Sequence, residues 1–247
     1  MLYQLINLKF RTVPYNPNDN LQEFSKRYIL QNPFINFSDF YDGIEEDGKK
    51  IKASMINIYE DSQRKLHKNL LLFGPRGSGK TLAVHALANK INAKVAQIEG
   101  LELFKIPYFI VEFAKTAFEC EPDRPLILYV KNLETIYQAS NLFHFLFDKV
   151  SSSKGNILFI ASSSVPVEYL PKNISKKFYY FYCIRPALQN QKYDLFNFIT
   201  SKLGVKVNMD KDQLRNFTYH NFRTYSNEDV FNVIKTAIEL KKSNYAE

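Results

Sequence analysis

Along this chain, short unbroken apolar runs alternate with longer stretches in which apolar positions return every three or four residues. Leu70-Leu71-Leu72-Phe73, Leu126 to Val130 and Ile157 to Ala161 are short enough and continuous enough to predict strands buried on both faces, and Ala93 to Ile98 is a further predicted strand. Between them, Thr81 to Ile91, Tyr108 to Cys120 and Asn141 to Val150 carry the helical period. Continuous strands separated by helices predict an α/β fold, a doubly wound parallel sheet with crossover helices on both faces. The aromatic run Phe178 to Tyr182 reads as the last, buried strand. After Arg185-Pro186 the strand pattern stops and three helices are predicted: Asn190 to Leu203, Lys211 to Phe217 and Asn227 to Lys242. The polar, Asn- and Pro-punctuated beginning holds one candidate helix, Leu21 to Leu30.

Composition narrows the class. Among 247 residues, 45% are apolar and 15% aromatic, enough for a sizeable core, so disorder is excluded as the main state. The net charge of +8 permits an anionic partner, but no basic tail exists, and the middle segment 68–186 holds the excess, fifteen basic residues against nine acidic. No nucleic-acid recognition motif accompanies that charge, so nucleic acid is not the favoured partner. Cys120 and Cys183 lack metal-ligand spacing, which leaves a reducing intracellular compartment, cytoplasmic or cytoskeleton-associated, as the default. Lys9 and Arg11 precede the first acidic residue, a faint likeness to a mitochondrial presequence that Pro14 and Pro17 interrupt. No apolar run approaches the roughly 20 residues of a membrane span. His67, His85, His144 and His220 stand far apart, without ligand spacing.

One stretch carries chemistry. Gly74-Pro75-Arg76-Gly77-Ser78-Gly79-Lys80-Thr81, followed by Leu82, is GxxxxGK[ST] between a predicted strand and a predicted helix. Its glycines let backbone N–H groups turn inward around a phosphate, and the helix beginning near Gly79 offers its positive end. Lys80 reaches the outer phosphates, and the Thr81 hydroxyl is the expected Mg²⁺ ligand if that ion is present. The pattern is that of a P-loop NTPase.

On these residues the chain resembles an AAA-family ATPase module, of the branch that includes katanin, spastin and fidgetin or a related one. The likeness covers about residues 37 to 240. Phe37 to Gly43 is similar to the family's leading segment, which implies that Asp42 and Gly43 border the adenine pocket. Leu126 to Glu134 resembles its acidic-motif strand, Ile157 to Pro166 its sensor strand, and Leu170 to Phe178 the segment with the arginine fingers. Tyr225 to Val230 resembles the start of a lid helix. The resemblance implies a nucleotide-binding α/β subdomain at 37–186, a small helical lid at 187–247 and an extension of separate role at 1–36. It also implies ATP or ADP as ligand.

The functional letters depart from that pattern. Where the family has Asp-Glu, this chain has Lys131 and Asn132; the sensor Asn becomes Ser164; the finger arginines become Lys176 and Lys177. Lys131 reads either as a solvated strand-end charge or as a cation occupying the magnesium position. Glu134, two residues on, is a candidate substitute carboxylate. The pore-loop place reads Lys105-Ile106-Pro107-Tyr108, with its glycine gone. The resulting expectation is a nucleotide-binding pseudo-ATPase, a structural component with protein partners in a larger assembly. The alternatives are an active, homo-oligomeric ring that remodels proteins, with microtubules as one setting, and a nucleic-acid-associated module.

Overall fold

The structure, a computed structural model, describes residues 29–30, 35–39, 41, 69–100, 124–139 and 157–243, with parts of 52–60 and 143–148. The predicted helices Leu21 to Leu30 and Tyr108 to Cys120, the Lys105 to Tyr108 segment, Asp42, Gly43 and Cys120 fall wholly or mainly outside these residues. Six strands form one sheet: β1 Ile29–Leu30, β2 Asn69–Phe73, β3 Lys94–Glu99, β4 Leu126–Lys131, β5 Ile157–Ser163 and β6 Tyr180–Cys183. They lie in the order β1-β3-β4-β5-β2-β6. All neighbours from β3 to β6 are parallel, and β1 alone runs antiparallel, Ile29 opposite Ala96 and Leu30 opposite Val95. The end of the predicted helix Leu21 to Leu30 is therefore strand, paired to the sheet margin.

The strands are buried because both faces are covered, and the period of two sorts their side chains. Leu71, Leu128, Val130 and Phe159 pack on one face around Phe143, Phe147 and Phe178, whose rings meet at centroid separations of 5.6 to 6.1 Å with Phe159 among them. Leu70, Leu72, Ile127, Tyr129 and Ile160 pack on the other, against Val84, Leu87 and Ala88 of helix α1, Lys80–Lys90. The expected burial of Phe178 to Tyr182 holds only at its start. Phe178 is core, whereas Tyr179 and Phe181 are exposed, because β6 closes the sheet at its edge beside β2 alone.

After β5, a short helix α2, Lys172–Ser175, leads into β6. The remaining helices α3 Lys192–Lys202, α4 Lys211–Asn221 and α5 Asn227–Ser243 build a separate apolar cluster around Leu195, Ile199, Phe222, Val230 and Ile234. The starts of α4 and α5 are capped by sequence-local chemistry. The Asp210 carboxylate accepts from the Asp212 and Gln213 amides ahead of α4. Ahead of α5, Ser226 and Asp229 cap reciprocally, Ser226 N–H donating to Asp229 and Asp229 N–H to the Ser226 hydroxyl. Among the described residues, no helix is long and apolar enough to cross a membrane.

His85 lies on the buried face of α1, 3.5 Å from the Gln97 side chain of β3. Burial pushes its pKa down from 6.5 to about 4, the Gln97 contact opposing and the Lys131 charge assisting. Between those values the unfolded chain binds the proton and the folded one does not, so stability falls as pH falls through the window. Denaturant unfolding from pH 7 to pH 4 is expected to lose up to about 3 kcal/mol through this residue. His85→Leu should lose correspondingly less over that range; equal losses would assign His85 no part.

Candidate functional site

The parallel sheet presents the C-terminal ends of β2, β4 and β5 side by side, and the segment leaving β2 is the glycine-rich loop. Gly74 (φ 146°), Gly77 (φ 72°) and Gly79 (φ 104°) hold conformations that disfavour a side chain, so the loop can coil before α1 begins at Lys80. Gly74 N–H donates to Ser163 O of β5 at 3.2 Å, tying the loop to the sheet. The Lys80 ammonium folds over the loop, 2.6 Å from Gly74 O and 2.8 Å from Pro75 O. Burial lowers its pKa; Glu134 pulls it up and Arg76 adds to the lowering. The buried Ser78 hydroxyl has no hydrogen-bond partner among the described residues, so a polar group inside the loop lacks its complement. An anionic oxygen seated in the loop would supply it.

Beneath the loop runs a chain of hydroxyls. Thr81 Oγ1 lies 3.2 Å from the Tyr129 hydroxyl, which donates to Ser162 Oγ at 2.9 Å. Burial pushes Tyr129 up to about 12, so the phenol remains a donor at neutral pH. Tyr129 and Ser162 were not among the residues singled out from the sequence; a phenol inside an otherwise aliphatic strand was the available signal.

At the end of β4, Lys131 shares a face with Tyr129 and lines the cavity above the loop. Parallel register sets it opposite Glu99 of β3, and the two form an ion pair at 2.6 Å. Asn132 turns the chain with a φ of 52°, and its side-chain amide donates to the second oxygen of Glu99, also at 2.6 Å. Gly100 permits this corner, since a Cβ there would come within 2.7 Å of Asn132 O. Glu99, absent from the residues picked from the sequence, thus holds both side chains at the strand end. Glu134 is turned to the neighbouring strand: its carboxylate accepts from the Ser164 N–H at 3.2 Å and from the Ser164 hydroxyl.

The cavity has a volume of about 600 Å³ and extends from the loop to the C-terminal helices. Arg76, Gly77, Ser78, Gly79, Lys80, Thr81, Leu82, Lys131, Asn132 and Ser164 form one end of its lining. Ile35, Tyr41, Leu195, Phe198, Ile199 and Phe231 form an apolar end. The two halves are joined directly. Glu228 N–H of α5 donates to Gly77 O at 3.2 Å, Asp39 pairs with Lys202 at 2.9 Å, and the Tyr41 hydroxyl donates to Gln191 O at 3.3 Å. Burial opposes the Asp39 charge, but the Asn36 N–H and the Lys202 ammonium outweigh it and hold the carboxyl below its usual range. Lys176 and Lys177 lie apart from this lining; Lys177 pairs with Asp148 at 2.9 Å and stands over the Phe147 ring.

An apolar slot joined to a cationic, N–H-lined loop suits a ligand with a flat ring and a polyphosphate. The donor set does not suit a divalent metal. Mg²⁺ requires oxygen ligands, preferably with carboxylate support. Thr81 contributes one hydroxyl, while an ammonium stands at the strand end, Glu99 faces Lys131 and Asn132, and Glu134 faces Ser164. No cluster of three or more His, Cys, Asp or Glu suited to a metal exists among the described residues.

Residues 70–184 match the model of the ATPase family associated with various cellular activities (AAA). Among curated proteins, the chain is 26% identical over 118 residues to the proteasome-activating nucleotidase of Thermococcus kodakarensis, covering 44% of this chain and 29% of that relative. It is 27% identical over 115 residues to the 26S proteasome regulatory subunit 4 homolog of Dictyostelium discoideum, covering 42% and 25%. The chain thus spans less than a third of the length of these relatives. Two solved structures share the fold at 16% identity. One is described as the structural basis for katanin self-assembly, with a TM-score of 0.68 over 92% of this chain and 79% of that one. The other is the FIGL-1 AAA domain in complex with ADP, with a TM-score of 0.67 over 89% and 78%.

The loop-to-helix contact is open to direct test. A Cβ on Gly77 would collide with the Ser226 side chain and come within 3.1 Å of Glu228 Cβ, whereas at Gly204 (φ 67°) nothing lies within 4 Å. Gly204→Ala is expected to cost about 1 kcal/mol from backbone strain alone, and Gly77→Ala about 1–3 kcal/mol more. Chemical denaturation measures both, and equal losses would contradict the contact.

Proposed function

We propose, for a chain whose residues 70–184 match the AAA ATPase family model, that it binds ATP or ADP in the cavity over Lys80 and hydrolyses the nucleotide little or not at all. In this reading residues 37–186 are the nucleotide-binding subdomain, 187–247 the helical lid and 1–36 an extension of separate role. The observation that carries it is the strand end of β4. Lys131 and Asn132 stand there, both held by Glu99, where activation of a water would call for a carboxylate. An amide can orient a water but cannot take its proton, and phosphoryl transfer depends on charge placement for nearly all of its acceleration.

The loop residues keep binding roles. The N–H groups of Gly77 and Gly79 face a phosphate while the Ser78 N–H stays on Pro75 O, the Ser78 hydroxyl gains its missing partner, and Lys80 exchanges two carbonyls for phosphate oxygens. The apolar end accepts the base beside Tyr41. Nucleotide then acts as a ligand that joins subdomain to lid, worth about 2.7 kcal/mol of folded-state stability at a hundredfold excess over Kd. Its role is that of a fixed subunit among protein partners in a larger assembly. The katanin structure concerns self-assembly, and a ring of like copies is the other arrangement. Lys176 and Lys177, in the finger segment, would then carry charge toward a neighbour without the guanidinium fork.

A specific observation favours a second reading, an active ATPase: Glu134 is bound to Ser164 at the cavity wall and acts electrostatically on Lys80. Steady-state phosphate release separates the two. We expect wild-type turnover at least a hundredfold below about 1 per second. ADP should bind and raise the melting temperature, and Lys80→Ala should weaken that binding tenfold or more. Turnover near 1 per second that Lys80→Ala and Glu134→Gln both abolish would establish the active reading instead.

A further inference from the structure

Lys131 is placed by three independent features. Strand alternation puts it on the face of Tyr129 and Thr81, parallel register sets it opposite Glu99, and the ion pair at 2.6 Å fixes the direction of its ammonium. That pairing leaves it part of the cavity wall, together with Lys80 and Arg76. Its charge is felt within the fold, since it lowers the proton affinity of His85.

We propose that the cradle holds a nucleoside polyphosphate without a divalent metal, the Lys131 ammonium serving as the built-in counter-charge. This rests on the nucleotide-binding reading above and extends it to the ionic form of the ligand. A di- or triphosphate brings three or more negative charges, and a divalent ion ordinarily neutralises part of them. Here five cationic side chains line the cavity: Lys131 is paired with Glu99, Lys202 with Asp39 and Lys235 with Glu239 at 3.8 Å, and Lys80 and Arg76 stand at the loop, with Asp39 and Glu228 the carboxylates on the lining. Asp39 is committed to Lys202, and Glu228 follows the loop-facing start of α5. A second positive centre beside Lys131 would compete with its ammonium for the Glu99 carboxylate and for the same phosphate oxygens. The carboxylates nearest the strand end are engaged, Glu99 by Lys131 and Asn132 and Glu134 by Ser164. Glu99 therefore acts as a positioning residue: it aims a cation, and a metal is not what it aims.

Calorimetric titration of the full chain with ADP and with ATP, in excess EDTA and again in millimolar Mg²⁺, tests this. The wild-type Kd is expected to change less than threefold between the two conditions. Lys131→Met combined with Glu99→Gln, which leaves neither charge of the pair without its partner, should bind at least tenfold more weakly in EDTA. Lys131→Arg should keep the metal independence. Lys131→Asp should bind weakly in EDTA and recover at least tenfold with Mg²⁺. Circular dichroism melts verify that each variant is folded, and the wild-type comparison of EDTA with Mg²⁺ decides the metal independence whether or not the variants fold. A wild-type affinity that rises tenfold or more with Mg²⁺, or a Lys131→Met, Glu99→Gln protein that binds as well as wild type in EDTA, would overturn the proposal while leaving nucleotide binding intact. Absence of binding in both conditions would overturn the nucleotide reading and this proposal with it.

Discussion

The Glu99 carboxylate reaches across from β3 to β4 and grips an ammonium with one oxygen and an amide with the other, each at 2.6 Å. The character of the site depends on that grip. It requires parallel register between the strands, so that Glu99 lies opposite Lys131, and a left-handed turn at Asn132 that swings the amide back. It also requires Gly100, where a side chain would strike the turn. With these satisfied, the strand end places the Lys131 ammonium, paired with Glu99, in the cavity wall. The Glu99 carboxylate is spent on holding it there.

The phosphate loop and the strand end act on the same space from opposite sides. The loop supplies backbone N–H groups and Lys80 from the end of β2, while β4 supplies Lys131 and the Thr81-Tyr129-Ser162 hydroxyls lie beneath. The C-terminal helices close the remaining side through Glu228 on Gly77, Lys202 on Asp39 and Gln191 on Tyr41. Each contact joins segments far apart in the chain, and a ligand in the cavity would touch both the sheet side and the helices. Such coupling suits a ligand that orders a subunit, and it does not by itself require turnover.

The continuous apolar runs made the parallel sheet legible, and the GxxxxGK[ST] spacing made the loop legible, because both signals are local. Helix starts were legible for the same reason, as at Asp210 and Ser226. What escaped depends on strand pairing. Glu99 is an ordinary charge at the end of an apolar stretch until register sets it against Lys131. Ile29 and Leu30 look helical in isolation and are strand only because the β3 margin accepts them. The run Phe178 to Tyr182 looks uniformly buried, yet sheet order puts β6 at the edge and exposes Tyr179 and Phe181. Lys131 and Asn132 were visible as departures, but whether they were slack or held could be read only from their shared carboxylate.

The most direct measurement is a crystal structure of the full chain grown with ATP and Mg²⁺. The account predicts intact triphosphate in the loop, Lys80 released from Gly74 O and Pro75 O onto phosphate, and the Lys131 ammonium within hydrogen-bond distance of a phosphate oxygen. Glu99 should still hold Lys131 from behind. A metal ion on Thr81 with Glu134 or Glu99 turned toward it, or a loop that stays closed on Lys80 with no nucleotide, would contradict it.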